Sequence, residues 1–350
     1  MLNNKIKEKI ATEVIRTLVT RFDNFPEDAS NNRNAPFHEA FLSAFSDKLE
    51  ENVSDIPFFI SLSSWMHGLN TTLGQTFFEN VAHHVSQGEK REYTSKRLGN
   101  LPITQTHRNH IAQIIADLST STKQPDLASE NQLLFATYNT DVINAMDFSA
   151  DVFIEDTNTI TAIELKSVKP NSGEMKGEKQ KILEGKAALY GKFPGKQIHF
   201  YMGFPFDPTV NAENESITSY DKTRLLGQII NMTKYFAPNE TLIASELWNI
   251  LSGDSNTMEQ ILEIINAIST TDFHTKYSYL NENGNRNNQQ YIDILTEWYL
   301  TSEKELIEND STLKENVLGA RKLNRIYNKT AFDNKGNYNM NRYVELREHV

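Results

Sequence analysis

Apolar residues recur at helical spacing through the first third of the chain. Ile6, Ile10, Val14 and Leu18 share one face, and a second stretch runs from Phe58 past Trp65, Leu69 and Leu73 to Phe77, Phe78 and Val81. The polar run from Asp23 to Pro36 predicts a loop between them, and a third helix begins near Thr106 and carries Ile111, Ile114, Ile115 and Leu118. The pattern changes after a short helix around Leu133. Ala150 to Ile154 and Thr159 to Lys166 are rich in β-branched and apolar residues and flank the turn-prone Glu155-Asp-Thr-Asn158, which predicts a hairpin. A lysine-rich helix from about Lys176 to Tyr190 follows. Then comes a strand from Gln197 to Phe204, in which Ile198, Phe200, Met202 and Phe204 alternate with more polar residues, and a helix from Asp221 to Tyr235. From about 241 the chain returns to helices: Leu242 to Leu251, Thr257 to Ile268 behind the cap candidates Ser255 and Asn256, and Tyr291 to Leu300. Asn281 to Asn288 is a flexible polar loop and Asp333-Asn-Lys-Gly336 a turn.

Strand, strand, helix, strand, helix is an α/β order, and a crossover helix lets its flanking strands lie parallel. The chain therefore divides into a mainly helical region, 1–125, that contributes a helix to a core. The core itself spans 126–240, and 241–350 is helical with a basic tail.

Composition narrows the class. With 38% apolar and 23% charged residues over 350 positions, the chain is long enough for two or three modules and is not disordered. No apolar run approaches the roughly 18 residues that span a bilayer, and the first ten residues form an amphipathic helix rather than a signal peptide. The absence of cysteine excludes disulfides and thiolate metal sites and fits a cytoplasmic protein. A net charge of −11 argues at first against nucleic acid, whose binding depends on cationic neutralisation of phosphates. Distribution changes that picture: 164–196 holds eight lysines against four glutamates, and 314–347 eight Lys/Arg against three acids.

The candidate chemistry lies on the hairpin. Period-2 alternation puts Glu164 and Lys166 on one face, with Ile163 and Leu165 on the other, and Asp151 stands on the neighbouring strand. Phosphodiester hydrolysis needs charge neutralisation and an activated water, both supplied by hard divalent ions on oxygen ligands. Asp151 and Glu164 are the candidate metal ligands, with the backbone carbonyl of Leu165 as a third oxygen, and Lys166 is placed to hold the water or a phosphate oxygen. On the following helix Lys179 and Lys186 fall near Ile182 and Leu183, which leaves two readings open. They reach a phosphate, or their stems cover apolar surface while the ammonium groups stay in water. Gln180 or Glu178 also stands where it can line the site. No Walker or dinucleotide glycine loop and no Gly-x-Ser-x-Gly elbow occurs. His107 and His110 open an isoleucine-rich helix, which does not suit a ββα metal finger.

Asp151, twelve residues, then Glu164-Leu165-Lys166 resembles the motif of the PD-(D/E)XK nuclease superfamily, to which many type II restriction endonucleases belong. The likeness covers roughly residues 75 to 205, with Ala150 standing where proline often precedes the first acid. The segment from Lys166 to Lys181 is similar to restriction enzymes of the TdeIII type, which implies a site-specific endonuclease on a short palindrome of the GGNCC kind. The resemblance implies a restriction-endonuclease-like α/β core, with a central mixed sheet flanked by helices, and Mg²⁺ as cofactor. Glu79 resembles the acid that many of these nucleases present from an early helix, and His83 shares its face. Double-stranded DNA is the implied substrate, met by Lys169, Lys176 and Lys186, with Arg321, Lys322, Arg325 and Arg342 as candidate guanine or phosphate contacts. A palindrome is most simply cut by a homodimer, and a cognate DNA methyltransferase is the implied functional partner. Two rivals remain: a structure-specific or repair nuclease on the same core, and a non-catalytic DNA-binding protein.

Overall fold

A computed structural model describes residues 1–22, 24–26, 42, 56–166, 174–211 and 213–350. Most of the expected Asp23 to Pro36 loop, and Lys169, lie outside the described residues. The chain divides into two compact units, one built from 1–6 and 78–262, the other from 7–77 and 263–350. The three consecutive regions expected from the order of elements are divided differently here: 78–125, expected to lend the core a helix, lends it strands as well, and 241–262 joins the same unit.

The first unit is built on a mixed five-stranded sheet of order β1-β4-β5-β6-β7, flanked by helices. The strands are β1 (Glu89–Tyr93), β4 (Phe148–Glu155), β5 (Thr159–Leu165), β6 (Gln197–Phe204) and β7 (Thr241–Ile243). Two short strands, β2 (Pro102–Thr104) and β3 (Val142–Asn144), form a separate antiparallel pair. β1, β4 and β5 pair antiparallel, whereas β5, β6 and β7 run parallel. The expected hairpin is present, closed by the Asp156 N–H donating to Thr159 O at 2.9 Å. In β5, Ile160, Ala162 and Ile163 are fully buried, as a central strand requires.

The Glu174–Lys192 helix makes the crossover between β5 and β6. It is buried on more than one side, through Met175, Ile182, Leu183, Ala187, Ala188 and Leu189. Gly185 permits its close approach to the sheet: a Cβ there would lie 2.6 Å from the Phe200 ring and 3.1 Å from that of Phe148. The Gln105–Ser119 helix packs through Ile111, Ile114, Ile115 and Leu118. Its start is a capping box of Thr104 and His107, so His107 serves helix initiation.

Three expectations change. The region before Thr106, read as helical, contains β1, because Glu89-Lys-Arg-Glu-Tyr93 has no periodicity and becomes a strand only by pairing with β4. The stretch read as one helix from Leu242 begins as β7, and the chain turns at Ala244 (φ 50°) into the Ser245–Ser252 helix. The helix expected over Asp221 to Tyr235 is split into Lys222–Gln228 and Met232–Tyr235, with Asn231 left-handed between them.

The second unit is helical. The expected Tyr291 to Leu300 helix spans Gln289–Glu297, and the tail after it forms the Thr301–Glu308, Asp310–Val317, Arg321–Tyr327 and Met340–Leu346 helices. Leu306, Leu313, Val317, Tyr327 and Leu346 make a common core. The asparagine-rich loop is tied down by the buried Arg286, which donates to Tyr327 O at 2.8 Å and Lys329 O at 2.6 Å. Among the described residues no helix is long and apolar enough to cross a membrane.

Candidate active site

Hairpin register assembles the site. Val152 pairs with Ile163, and continuing that antiparallel register by one residue sets Asp151 opposite Glu164, with both side chains on one face. β4 and β5 part at this point. Asp151 Oδ2 therefore takes the Leu165 N–H, at 2.9 Å, where a ladder partner would otherwise stand. The next amide, Lys166 N–H, turns to the other edge and donates to Gly203 O at 2.8 Å. Lys166 Nζ lies 3.3 Å from Glu164 Oε1, as expected for residues two apart on a strand.

The crossover helix supplies the far wall. Glu178 accepts from Lys166 Nζ at 3.1 Å, and Lys181 Nζ lies 3.1 Å from Glu164 Oε1 and 3.6 Å from Glu178 Oε2. Glu178 and Lys181 are three apart and share a helix face. Burial, and then the facing charge of Asp151, raise the pKa of Glu164 against the opposing pull of Lys181 and Lys166. At Lys166 burial opposes the charged form, but Glu164 and Glu178 together outweigh it and hold the pKa above the ordinary lysine value.

The near wall comes from the Phe78–Ser86 helix and β1. Glu79 and Asp151 both bind Lys90 Nζ, each at 3.2 Å, and His83 Nε2 lies 2.6 Å from the Asp151 carbonyl. Glu79 and His83 are thus on one helix face, and both act on Asp151, one through Lys90 and one through the backbone. Lys90, Lys181 and the buttressing role of His83 were not identified from sequence. Lys90 sits on a strand with no alternating pattern, and only its pairing with β4 brings it to Asp151.

Several residues expected to line the site or to contact DNA are corrected. Lys179 is fully buried and its ammonium is bound by Glu130 at 2.6 Å and by both Glu240 oxygens at 2.7 and 2.8 Å. Lys186 is 1% exposed, 3.5 Å from Glu240, and burial pushes its pKa down to about 8. Neither reaches solvent, so the two readings left open for them both give way to a buried ion cluster. Arg342 is also buried, paired with Glu303. Gln180 contacts Met146 Sδ at 3.0 Å and meets none of the carboxylates above. Lys176, Arg321, Lys322 and Arg325 are exposed, with Lys322 3.3 Å from Glu345.

Comparison with known proteins bears on the whole chain. A family model described as the type II restriction endonuclease HinfI matches residues 2–269. The chain is 41% identical over 367 aligned positions to the type II restriction enzyme MjaII of Methanocaldococcus jannaschii, an alignment covering 99% of this chain and 97% of that protein. The family so found is that of HinfI, whereas the TdeIII-type likeness rests on the Lys166 to Lys181 segment. Both are restriction enzymes. Taken with the mixed sheet and its flanking helices, this agreement along nearly the full length means that the chain belongs to the HinfI family of type II restriction endonucleases, site-specific deoxyribonucleases.

Proposed function

We propose that Asp151, Glu164 and Lys166 form a PD-(D/E)XK centre that hydrolyses phosphodiester bonds of double-stranded DNA with Mg²⁺. The observation that carries this reading is the set of two register-opposed carboxylates with a lysine 3.3 Å from one of them. The donor set suits a hard divalent ion. Asp151 and Glu164 bear like charges on one face, the repulsion contributes to the raised pKa of Glu164, and a cation between them relieves it. An extended residue directs its own N–H and C=O to the same edge, and the Leu165 N–H meets Asp151, so the Leu165 carbonyl would offer the third oxygen. Mg²⁺ bound there supplies charge neutralisation at the scissile phosphate and a more acidic water.

The chain's own groups do the rest. Lys166 stays charged between Glu164 and Glu178 and is one-fifth exposed, so its ammonium orients the attacking water or a phosphate oxygen and offsets negative charge developing there. Lys181 and Glu178 keep that ammonium in place. His83 and the Leu165 N–H fix the Asp151 backbone and carboxylate.

The same reading assigns cleavage to a short palindrome of the GGNCC kind, on the likeness after Lys166, and to a homodimer with one centre per subunit. Lys169, Lys176, Arg321, Lys322 and Arg325 are the DNA contacts it retains, and a cognate methyltransferase protects the same site in the cytoplasm. Incubating purified protein with plasmid is expected to give discrete fragments with Mg²⁺ and none with EDTA. Lys166→Ala and Glu164→Ala are expected to abolish cleavage while leaving the circular dichroism spectrum and sequence-specific mobility shift intact. Cleavage by either variant at near the wild-type rate refutes the assignment. Run-off sequencing of the ends reads the site directly.

A further inference from the structure

One cation of the site is placed by backbone, not by a flexible side chain alone. β1 pairs with β4 as Glu89 with Phe153 and Arg91 with Ala150, so Lys90 alone faces two residues, Asp151 and Val152. That is a β-bulge, and bulges re-aim side chains beside active sites. The entry to β1 is equally fixed. Gln87 has φ 56°, and Gly88 runs so close to β4 that a Cβ would stand 2.9 Å from Phe153 O. This tight turn ties the helix bearing Glu79 to the strand bearing Lys90. The ammonium ends 3.2 Å from both the Glu79 and the Asp151 carboxylate.

We propose that Lys90 is a built-in cation that fills the place a second divalent ion would take between Glu79 and Asp151, so that each centre binds one divalent ion, at Asp151 and Glu164. The inference rests on the metal centre proposed above and adds its stoichiometry. Two-metal nucleases set a pair of dications about 3.5–4 Å apart around a shared carboxylate. Here Asp151 is that shared carboxylate, with Glu164 on one side and Glu79 on the other. On the Glu79 side the gap already holds a positive charge, and a dication entering it meets an ammonium at contact distance. Among the described residues no group of three or more His, Asp or Glu side chains is arranged to hold a metal ion. Asp151 keeps capacity for the first ion, because each of its oxygens has a second lone pair beyond the bond to Lys90 or to Leu165. Glu79 then acts as a positioning residue: it holds Lys90 and does not ligate metal.

The test counts bound Mn²⁺ by electron paramagnetic resonance of the free ion, using full-length protein without DNA. Wild type is expected to bind one Mn²⁺ per chain, Lys90→Met two, and Lys90→Met with Glu79→Gln one again. Lys90→Arg keeps the charge and is expected to stay at one, and Lys90→Gln, which deletes the charge but can still bond both carboxylates, is expected to bind two and gives the test a second arm should the methionine variant melt early. Equal counts in wild type and Lys90→Met, or two ions in wild type, overturn the role of Lys90. Asp151→Asn with Glu164→Gln separates this from the reading beneath it. Loss of binding in that variant upholds the metal centre even when Lys90 fails, whereas unchanged binding removes the centre and Lys90's role with it.

Discussion

Replacing Lys179 by methionine separates two jobs for one residue, since a phosphate contact and a buried counter-ion predict opposite phenotypes. Methionine keeps the unbranched stem and deletes only the charge. The ammonium lies within 2.6–2.8 Å of three carboxylate oxygens, from Glu130 and Glu240, and the three side chains are 0%, 6% and 1% exposed. Burial already raises the pKa of Glu130 despite Lys179. Without it, Glu240 keeps the Ala237 N–H at 2.9 Å, and among the described residues the cation left to the two acids is Lys186, 3.5 Å from Glu240. Removing one partner of a buried pair costs about 3–5 kcal/mol, because the remaining charge is left uncompensated. For a folding unit of this size each kcal/mol moves the melting temperature by roughly 2–4 °C, so the expected drop is on the order of 6–20 °C. Thermal melts followed by circular dichroism measure it, and plasmid cleavage well below the melt is expected to continue. A Lys179→Met protein that melts within about 2 °C of wild type but no longer binds DNA would refute the buried-cluster argument.

Lys186 gives a pH signature. Its folded pKa, about 8, lies below the ordinary lysine value of 10.5, so between these values the unfolded chain binds the extra proton and stability rises with pH. Relative to Lys186→Met, wild type is expected to gain about 1.4 kcal/mol per pH unit from pH 8 to 10 in urea melts, and a flat difference contradicts the assignment. Gly203→Ala puts a methyl 2.8 Å from Ile163 Cγ2 and 3.0 Å from Leu165 Cδ2, beside the Leu165 amide that holds Asp151. Overpacking of this kind costs about 1–3 kcal/mol. The expected result is a lower melting temperature and slower cleavage at unchanged DNA affinity, and unaltered cleavage would show that Leu165 does not shift. Arg321→Ala and Arg325→Ala remove exposed charges, so stability is expected to change by less than about 0.5 kcal/mol. DNA affinity falls, and the slope of log affinity against log salt drops by about one for each phosphate no longer neutralised; an unchanged slope in gel shifts argues that neither arginine meets a phosphate.

What could be read ahead of the structure was local. The hairpin follows from two short apolar runs around a turn, and a fixed register then carries Asp151, Glu164 and Lys166 to one place. Helices such as Gln105–Ser119 and Thr257–Ile268 follow from apolar spacing and cap residues in the same way. Elements that exist only by pairing were hidden. β1 is a polar edge strand, and β7 is three residues long, preceding a helix whose apolar pattern masks it. Lys90 was missed because its partners, Glu79 and Asp151, lie 11 and 61 positions away.

The lysine-rich stretch shows why local charge misleads. The helix wheel does set Lys179 and Lys186 toward the buried side, but their counter-ions come from Glu130 and Glu240, 49 and 61 positions from Lys179. Lys166 and Lys181 are met by Glu164 and Glu178, and Lys196 by Glu155 at 3.0 Å. Five of the seven described lysines between 164 and 196 are therefore paired with acids, so most of the charge that reads as basic is met within the fold. In a chain of net charge −11, Lys176, at an exposed end of this helix, is then left to draw DNA, and the helix's buried lysines do not. On the reading proposed above, attraction comes from exposed cations such as Lys176, Arg321 and Arg325 and from the divalent ion itself. It follows that DNA binding should weaken when metal is withdrawn, even for variants that cannot cut.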